Sequence, residues 1–120
     1  MIVFNSYGPC RGITLFRFKQ LRVELWYIPA GYDIVEHRHP KEDVELMYIF
    51  GSSAFFRRDI RIGMPEMFEP KFPRDLFKTF SVKHFHSHWF SVGRIPLVFI
   101  NFQTFLAGNK PVSAADDFLI

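Results

Sequence analysis

The chain of 120 residues carries 15 Lys and Arg against 12 Asp and Glu, a formal net charge of +3, and is 48 % hydrophobic and 18 % aromatic, with 16 Phe. This composition excludes a disordered chain, which could not bury enough apolar surface to offset its chain entropy, and the length suits one domain, 1–120, with a core of its own. The mild basic excess, the single Cys10 and the lack of any run near about 18 apolar residues argue against a nucleic-acid partner, a disulfide framework and a membrane span.

The opening "MIVFNSYGPC" has no basic stretch leading into a long apolar core, so no secretory signal is expected and the protein is placed in the cytoplasm. Turn signals then recur, at Gly8-Pro9, Pro29-Ala30-Gly31, His39-Pro40, Gly51-Ser52-Ser53, Gly63-Met64-Pro65, Gly93 and Gly108. Between them lie short runs rich in Val, Ile, Phe and Tyr, the pattern of an all-β sandwich or barrel. "ITLFRF" reads as a strand that can pair across a two-fold axis, and with so many aromatic residues to cover it predicts a homodimer.

"LRVELWYI", Leu21 to Ile28, alternates, with Leu21, Val23, Leu25 and Tyr27 on one face and Arg22, Glu24 and Trp26 on the other. "YDIVEHRH" is the next strand, and its two-residue period sets Val35, His37 and His39 on one face. "ELMYIF" is apolar on both faces, as expected of a strand covered on both sides. "SSAFFRRD" follows, its Arg57 and Arg58, with Arg61 beyond, read mainly as solvated charge; then comes a Pro-interrupted, irregular excursion from 61 to 74. "LFKTFSV", "HFHSHWFSV" and "PLVFINFQTF" complete the strands, and the tail from 108 to 120 is expected to form a short helix or to dangle.

All five histidines fall in two groups, His37 with His39 and His84 with His86 and His88. On an extended strand, residues i and i+2 project to the same side, so two imidazoles can converge on one ion. A lone His-x-His at a strand end is more often structural. A second cluster, and the nearby acids Glu42, Asp43 and Glu45, shift the balance towards a site for Fe, Mn, Ni or Zn.

The stretch "IPAGYDIVEHRHPKEDVELMYIFG" resembles the first motif of the cupin superfamily: Pro-x-Gly, five residues, His-x-His, an acidic turn, an apolar strand and a glycine, spanning about 29–51. "HSHWFSVGRIPLVFINFQ", within about 84–105, resembles the second motif. The resemblance covers roughly residues 21 to 105. It implies a jelly-roll β-barrel of two antiparallel sheets holding a divalent transition metal. It also implies a ligand set of His37, His39, one carboxylate and a histidine of the second motif, best matched by His88 with His86 as the alternative. The carboxylate departs from the family count. Glu42, Asp43 and Glu45 follow the second histidine by two, three and five residues, and measured back from Gly51 the expected place falls on Val44. Glu45 reaches the site if the turn or strand holds one extra residue; Asp43 is the second choice, and a site of three histidines alone stays open.

Two functions follow from that resemblance. One is a metal-dependent enzyme, a dioxygenase, isomerase or lyase, acting on a small oxygenated, anionic substrate, with Arg57 and Asn101 as candidate substrate-binding residues. The other is a non-catalytic ligand-binding or structural module in which metal is structural or missing. A histidine of 84 and 86 left free of metal could exchange protons near neutrality, and Tyr27 or Tyr48 could offer a phenol, although packing is the commoner role.

Overall fold

The computed structural model describes residues 3–51, 53–71, 73–75 and 78–120. The centre of the expected turn at Ser52, Phe72 in the excursion, and Leu76 and Phe77 of "LFKTFSV" lie outside the described residues. Ten strands run in order: β1 Val3–Tyr7, β2 Cys10–Phe18, β3 Leu21–Ile28, β4 Asp33–Arg38, β5 Glu42–Phe50, β6 Ser53–Asp59, β7 Pro65–Phe68, β8 Thr79–Lys83, β9 His86–Val92 and β10 Leu97–Phe105. Among the described residues none is helical, and no helix is long and apolar enough to cross a membrane.

The strands form two antiparallel sheets, one of six in the order β1-β2-β3-β10-β5-β8 and one of four in the order β4-β9-β6-β7. Trp26, Ile28, Met47, Ile49, Phe80, Leu97 and Phe99 from the first meet Ile34, Phe55, Phe90 and Val92 from the second in one core. Phe55 and Phe90 sit at its centre with ring centroids 5.1 Å apart, and Phe90 stacks on Phe99 at 5.6 Å. Two glycines permit the close packing. A Cβ on Gly12 would come within 2.7 Å of the Trp26 indole; Gly51 has φ +107, and a Cβ there would meet the Pro96 carbonyl at 2.8 Å.

Three expectations change. Part of the excursion is ordered as β7, an edge strand whose first residue is Pro65, a place that costs no ladder hydrogen bond. The tail neither forms a helix nor dangles: Leu119 bridges Arg38 of β4, with Arg38 N–H donating to Leu119 O at 2.8 Å and Leu119 N–H to Arg38 O at 2.9 Å. Val35 does not share a face with His37. In the β4–β9 pairing Ile34 lies opposite Phe90 and His37 opposite His88, so β4 carries one residue more than β9. This bulge turns both Ile34 and His37 inward and leaves Val35 half exposed.

The faces of the six-stranded sheet reverse the usual polarity. On β3 the buried row is Arg22, Glu24, Trp26 and Ile28, whereas Leu21, Val23, Leu25 and Tyr27 lie on the outer side. On β5 and β10 the outer rows are Val44, Leu46, Tyr48 and Phe50, and Val98, Ile100 and Phe102. Antiparallel sheets with one solvated face normally put polar residues there. Here several of the polar residues are inside.

Candidate metal centre

Strand pairing sets His37 on β4 directly opposite His88 on β9, and His39 follows just beyond the end of β4. All three are buried, and each offers a ligand atom within 4.8 Å of the others. The backbone settles two of the tautomers. His37 Nδ1 lies 2.7 Å from the Val35 carbonyl, and His39 Nδ1 lies against the Asp117 carbonyl. A carbonyl oxygen only accepts, so each Nδ1 carries the proton and each Nε2 is left with its lone pair. Those two Nε2 atoms face one another at 3.1 Å. Two lone pairs at that distance repel, and a shared cation removes the repulsion. His88 Nδ1, also buried, has no hydrogen-bond partner among the described residues.

Burial holds the imidazoles neutral. It pushes His37 down to about 4 and His39 to about 3, and His88 falls well below the usual histidine range. A neutral imidazole is the form that ligates metal.

The acids are sorted by a second bulge. On β5, Val44 pairs with Thr104 and Glu42 with Phe105, which leaves Asp43 as the extra residue. Glu42 and Glu45, three apart, therefore both turn inward, each 1 % exposed, while Asp43 faces solvent. Glu45 Oε2 accepts from Asn101 Nδ2 at 2.7 Å and Gln103 Nε2 at 3.3 Å, and Oε1 lies 3.8 Å from His88 Nε2. Burial pushes the Glu45 carboxyl up to about 7. Glu42 is raised too, by burial first and then by Glu45, and its Oε1 accepts from Gln103 Nε2 at 2.6 Å. Glu42 also lies close to His39 and Asp117.

The other candidates stand apart from the triad. His86 Nδ1 accepts from Lys83 N at 3.0 Å, and the His84 carbonyl accepts from Arg38 Nη1 at 3.3 Å. Arg57 donates to the Ser81 carbonyl at 2.6 Å and pairs with Glu66 at 3.2 Å, and it does not line the cavity beside the triad. Asn101 does line it, and its Oδ1 has no partner among the described residues.

That cavity is ≈ 50 Å³. His37, His39, His88, Glu45 and Asn101 form its polar end, and Cys10, Trp26, Ile28, Ile34, Met47, Phe90 and Phe99 form most of the rest. Burial lifts the Cys10 thiol to about 11. Sequence reasoning missed Phe118, whose ring stacks on His37 with centroids 4.1 Å apart and an interplanar angle of 18°. The only hint was an apolar "FLI" after the acidic pair in an otherwise polar tail.

No family model matches the sequence, and no curated protein matches it. Solved structures do. The capsular polysaccharide assembling protein CapF from Staphylococcus aureus superposes with a TM-score of 0.72 at 12 % identity, over 100 % of this chain and 34 % of the CapF chain. A chain from the structures of the DMSP lyases RdDddP and RnDddQII gives a TM-score of 0.65 at 19 % identity, over 93 % of this chain and 62 % of that one. The cupin domain of Schizosaccharomyces pombe Cnp3 gives 0.66 at 12 %, over 81 % of this chain and 61 % of that one. This chain thus spans about a third of the CapF chain, which covers it at 34 %. At such identities the likeness is one of fold. This chain has the cupin fold, an all-β jelly roll of two antiparallel sheets.

Proposed function

We propose that this cupin-fold chain holds a divalent transition metal through His37, His39, His88 and Glu45, and uses it as an enzyme of dioxygenase, isomerase or lyase type on a small oxygenated substrate. The observation that carries the reading is the pair of Nε2 lone pairs facing each other at 3.1 Å, each fixed by a carbonyl behind its ring. Fe, Mn, Ni and Zn all suit imidazole with carboxylate. When bound, such an ion supplies a Lewis acid that polarises a substrate oxygen.

The protein's own residues do the rest. Val35 and Asp117 orient the two rings through their carbonyls, the outer-shell support that ligating histidines need. Asn101 and Gln103 hold Glu45 and keep its Oε2 from turning away. Asn101 Oδ1 is left to accept a hydrogen bond from substrate. Among the described residues no Lys or Arg lines the cavity, so a substrate anion would find its counter-charge at the metal. The lyase reading is supported by the fold it shares with a DMSP lyase chain. A second reading, a binding module without catalysis, is favoured by the small size of the cavity, ≈ 50 Å³.

Elemental analysis of protein purified without chelators decides the first point. Near-stoichiometric Fe, Mn, Ni or Zn is expected, and the His37→Ala/His39→Ala double variant should lose it. A folded wild-type protein that takes up none of these metals when they are added would overturn the metal reading.

The apolar outer face of the six-stranded sheet supports a homodimer in which Tyr27, Leu46 and Phe102, now 44 %, 41 % and 36 % exposed, are covered by a second copy. Sedimentation velocity should show a dimer for the wild type and a monomer for Leu46→Glu/Phe102→Glu. A monomeric wild type would sink this assembly.

A further inference from the structure

We infer that the C-terminal segment is a displaceable strap whose Phe118 occupies the ligand's place, and that the ligand is a flat, uncharged aromatic carrying adjacent oxygen donors. The inference rests on the metal reading for those oxygen donors, and on the strap's own geometry for the rest.

The segment is held unevenly. At its near end a turn at Ser113 is anchored inside the barrel, with Ala114 N–H donating to the buried Glu24 Oε1 at 3.2 Å and Asp116 and Asp117 N–H donating to Ser113 O at 2.9 and 3.1 Å. At its far end Leu119 exchanges two backbone hydrogen bonds with Arg38, on an edge strand of the four-stranded sheet, and is 48 % exposed. Rotation about the backbone of Phe118 would break that bridge and leave the Glu24 anchor and the Asp117 carbonyl against His39 in place. Short peripheral bridges of this kind open at low cost.

Between the two ends Phe118 lines the cavity. Its ring stacks on His37 and lies 4.7 Å from the Tyr7 ring. The space beside it, ≈ 50 Å³, has room for a few waters at about 10–15 Å³ each. A ring seated against the His37 face must take the place that Phe118 now holds. What replaces it inherits its surroundings: an imidazole face, Tyr7 and Trp26 as aromatic walls and, among the described residues, no cationic side chain. A planar neutral ring satisfies those walls. Its polar atoms have partners only at the triad end, which requires oxygen donors on one edge.

The test uses the full chain with and without Co(II), with catechol and phenol as probes and the fluorescence of Trp26 on the cavity wall as one readout. Hydrogen exchange of the Arg38 and Leu119 amides is the other. Phe118→Ala should bind catechol in its Co(II) form on the order of tenfold tighter than wild type, because no ring must first be displaced. Catechol should speed exchange of both amides in the wild type, a measurement that stands even if the variant folds poorly. Equal affinities, or amides that stay protected with catechol bound, would overturn the strap. In metal-free protein phenol should still prefer Phe118→Ala. If it does while neither protein takes up Co(II), the metal reading and the oxygen-donor requirement fall and the strap stands.

Discussion

Glu24 and Glu45 lie buried on the inner face of the same sheet, and their surroundings differ in one respect that decides their roles. Glu24 is well partnered: Oε1 accepts from Trp26 Nε1 at 3.1 Å and Ala114 N at 3.2 Å, Oε2 accepts from Asn5 Nδ2 at 3.1 Å, and Oε2 is ion-paired with Arg22 Nε at 3.1 Å. Glu45 has both amide donors on one oxygen, and among the described residues its other oxygen meets only His88, at 3.8 Å. Three unpartnered buried atoms lie on the residues around Glu45, His88 Nδ1, Asn101 Oδ1 and Gln103 Oε1, against one beside Glu24, Arg22 Nε. Equal burial thus gives one acid that ties the fold together and one that is short of a partner. Incomplete satisfaction in a native core marks a place where something else binds.

The sharpest way to break this contrast is to remove the well-partnered acid. Glu24→Ala leaves Arg22 buried and uncompensated and should lose about 3–5 kcal/mol in chemical denaturation, while the folded fraction keeps its metal content. Arg22→Met/Glu24→Leu should recover most of that loss, since an apolar pair leaves no orphan charge. If Glu24→Ala instead loses metal at unchanged stability, the two acids have been assigned the wrong way round.

A pH series separates them next. Glu45, raised to about 7, is protonated below that pH, whereas His37 and His39 stay neutral down to about 4 and 3. Metal must then displace a proton from Glu45 at pH 6 and none at pH 8. Affinity should fall by about tenfold per unit below pH 7, with one proton released per ion at pH 6, read by calorimetry in buffers of different ionisation enthalpy. Glu45→Gln should abolish the slope between pH 7 and 5.

The smallest effect is on stability. Metal-free Glu45→Gln should unfold within about 1 kcal/mol of wild type, because removing a buried charge offsets the lost hydrogen bonds. A loss as large as that of Glu24→Ala would make Glu45 a structural acid after all.

Much of the fold was legible because strand signals are local. The alternation of "LRVELWYI" matches β3 from end to end, and the turn residues punctuate the chain where the sheets reverse. Alternation alone cannot say which row faces in. That choice is made by partners distant in sequence, such as Ala114 for Glu24, and it went to the polar row. The spacing of the histidines drew attention to the three imidazoles that meet. The acids were harder: Asp43 as an extra strand residue has the same composition as Asp43 in a turn, so nothing distinguished the bulge from a longer loop. Phe118 was out of reach because its contact with His37 spans most of the chain and follows no period.

The bulge on β5 also bears on how such sites are lost. Because side chains in a strand alternate, Glu42 and Glu45 share the inner face only through the extra residue, Asp43. Deleting Asp43 would keep every histidine and both glutamates in the chain, yet only one of the two acids could still point inward. In a lineage carrying this barrel, a single-codon deletion that turned Glu45 outward would therefore retire the site with no ligand residue substituted. A comparison of relatives that scores only residue identity would count such a site as intact; the length of the stretch between His39 and Gly51 is the character to compare.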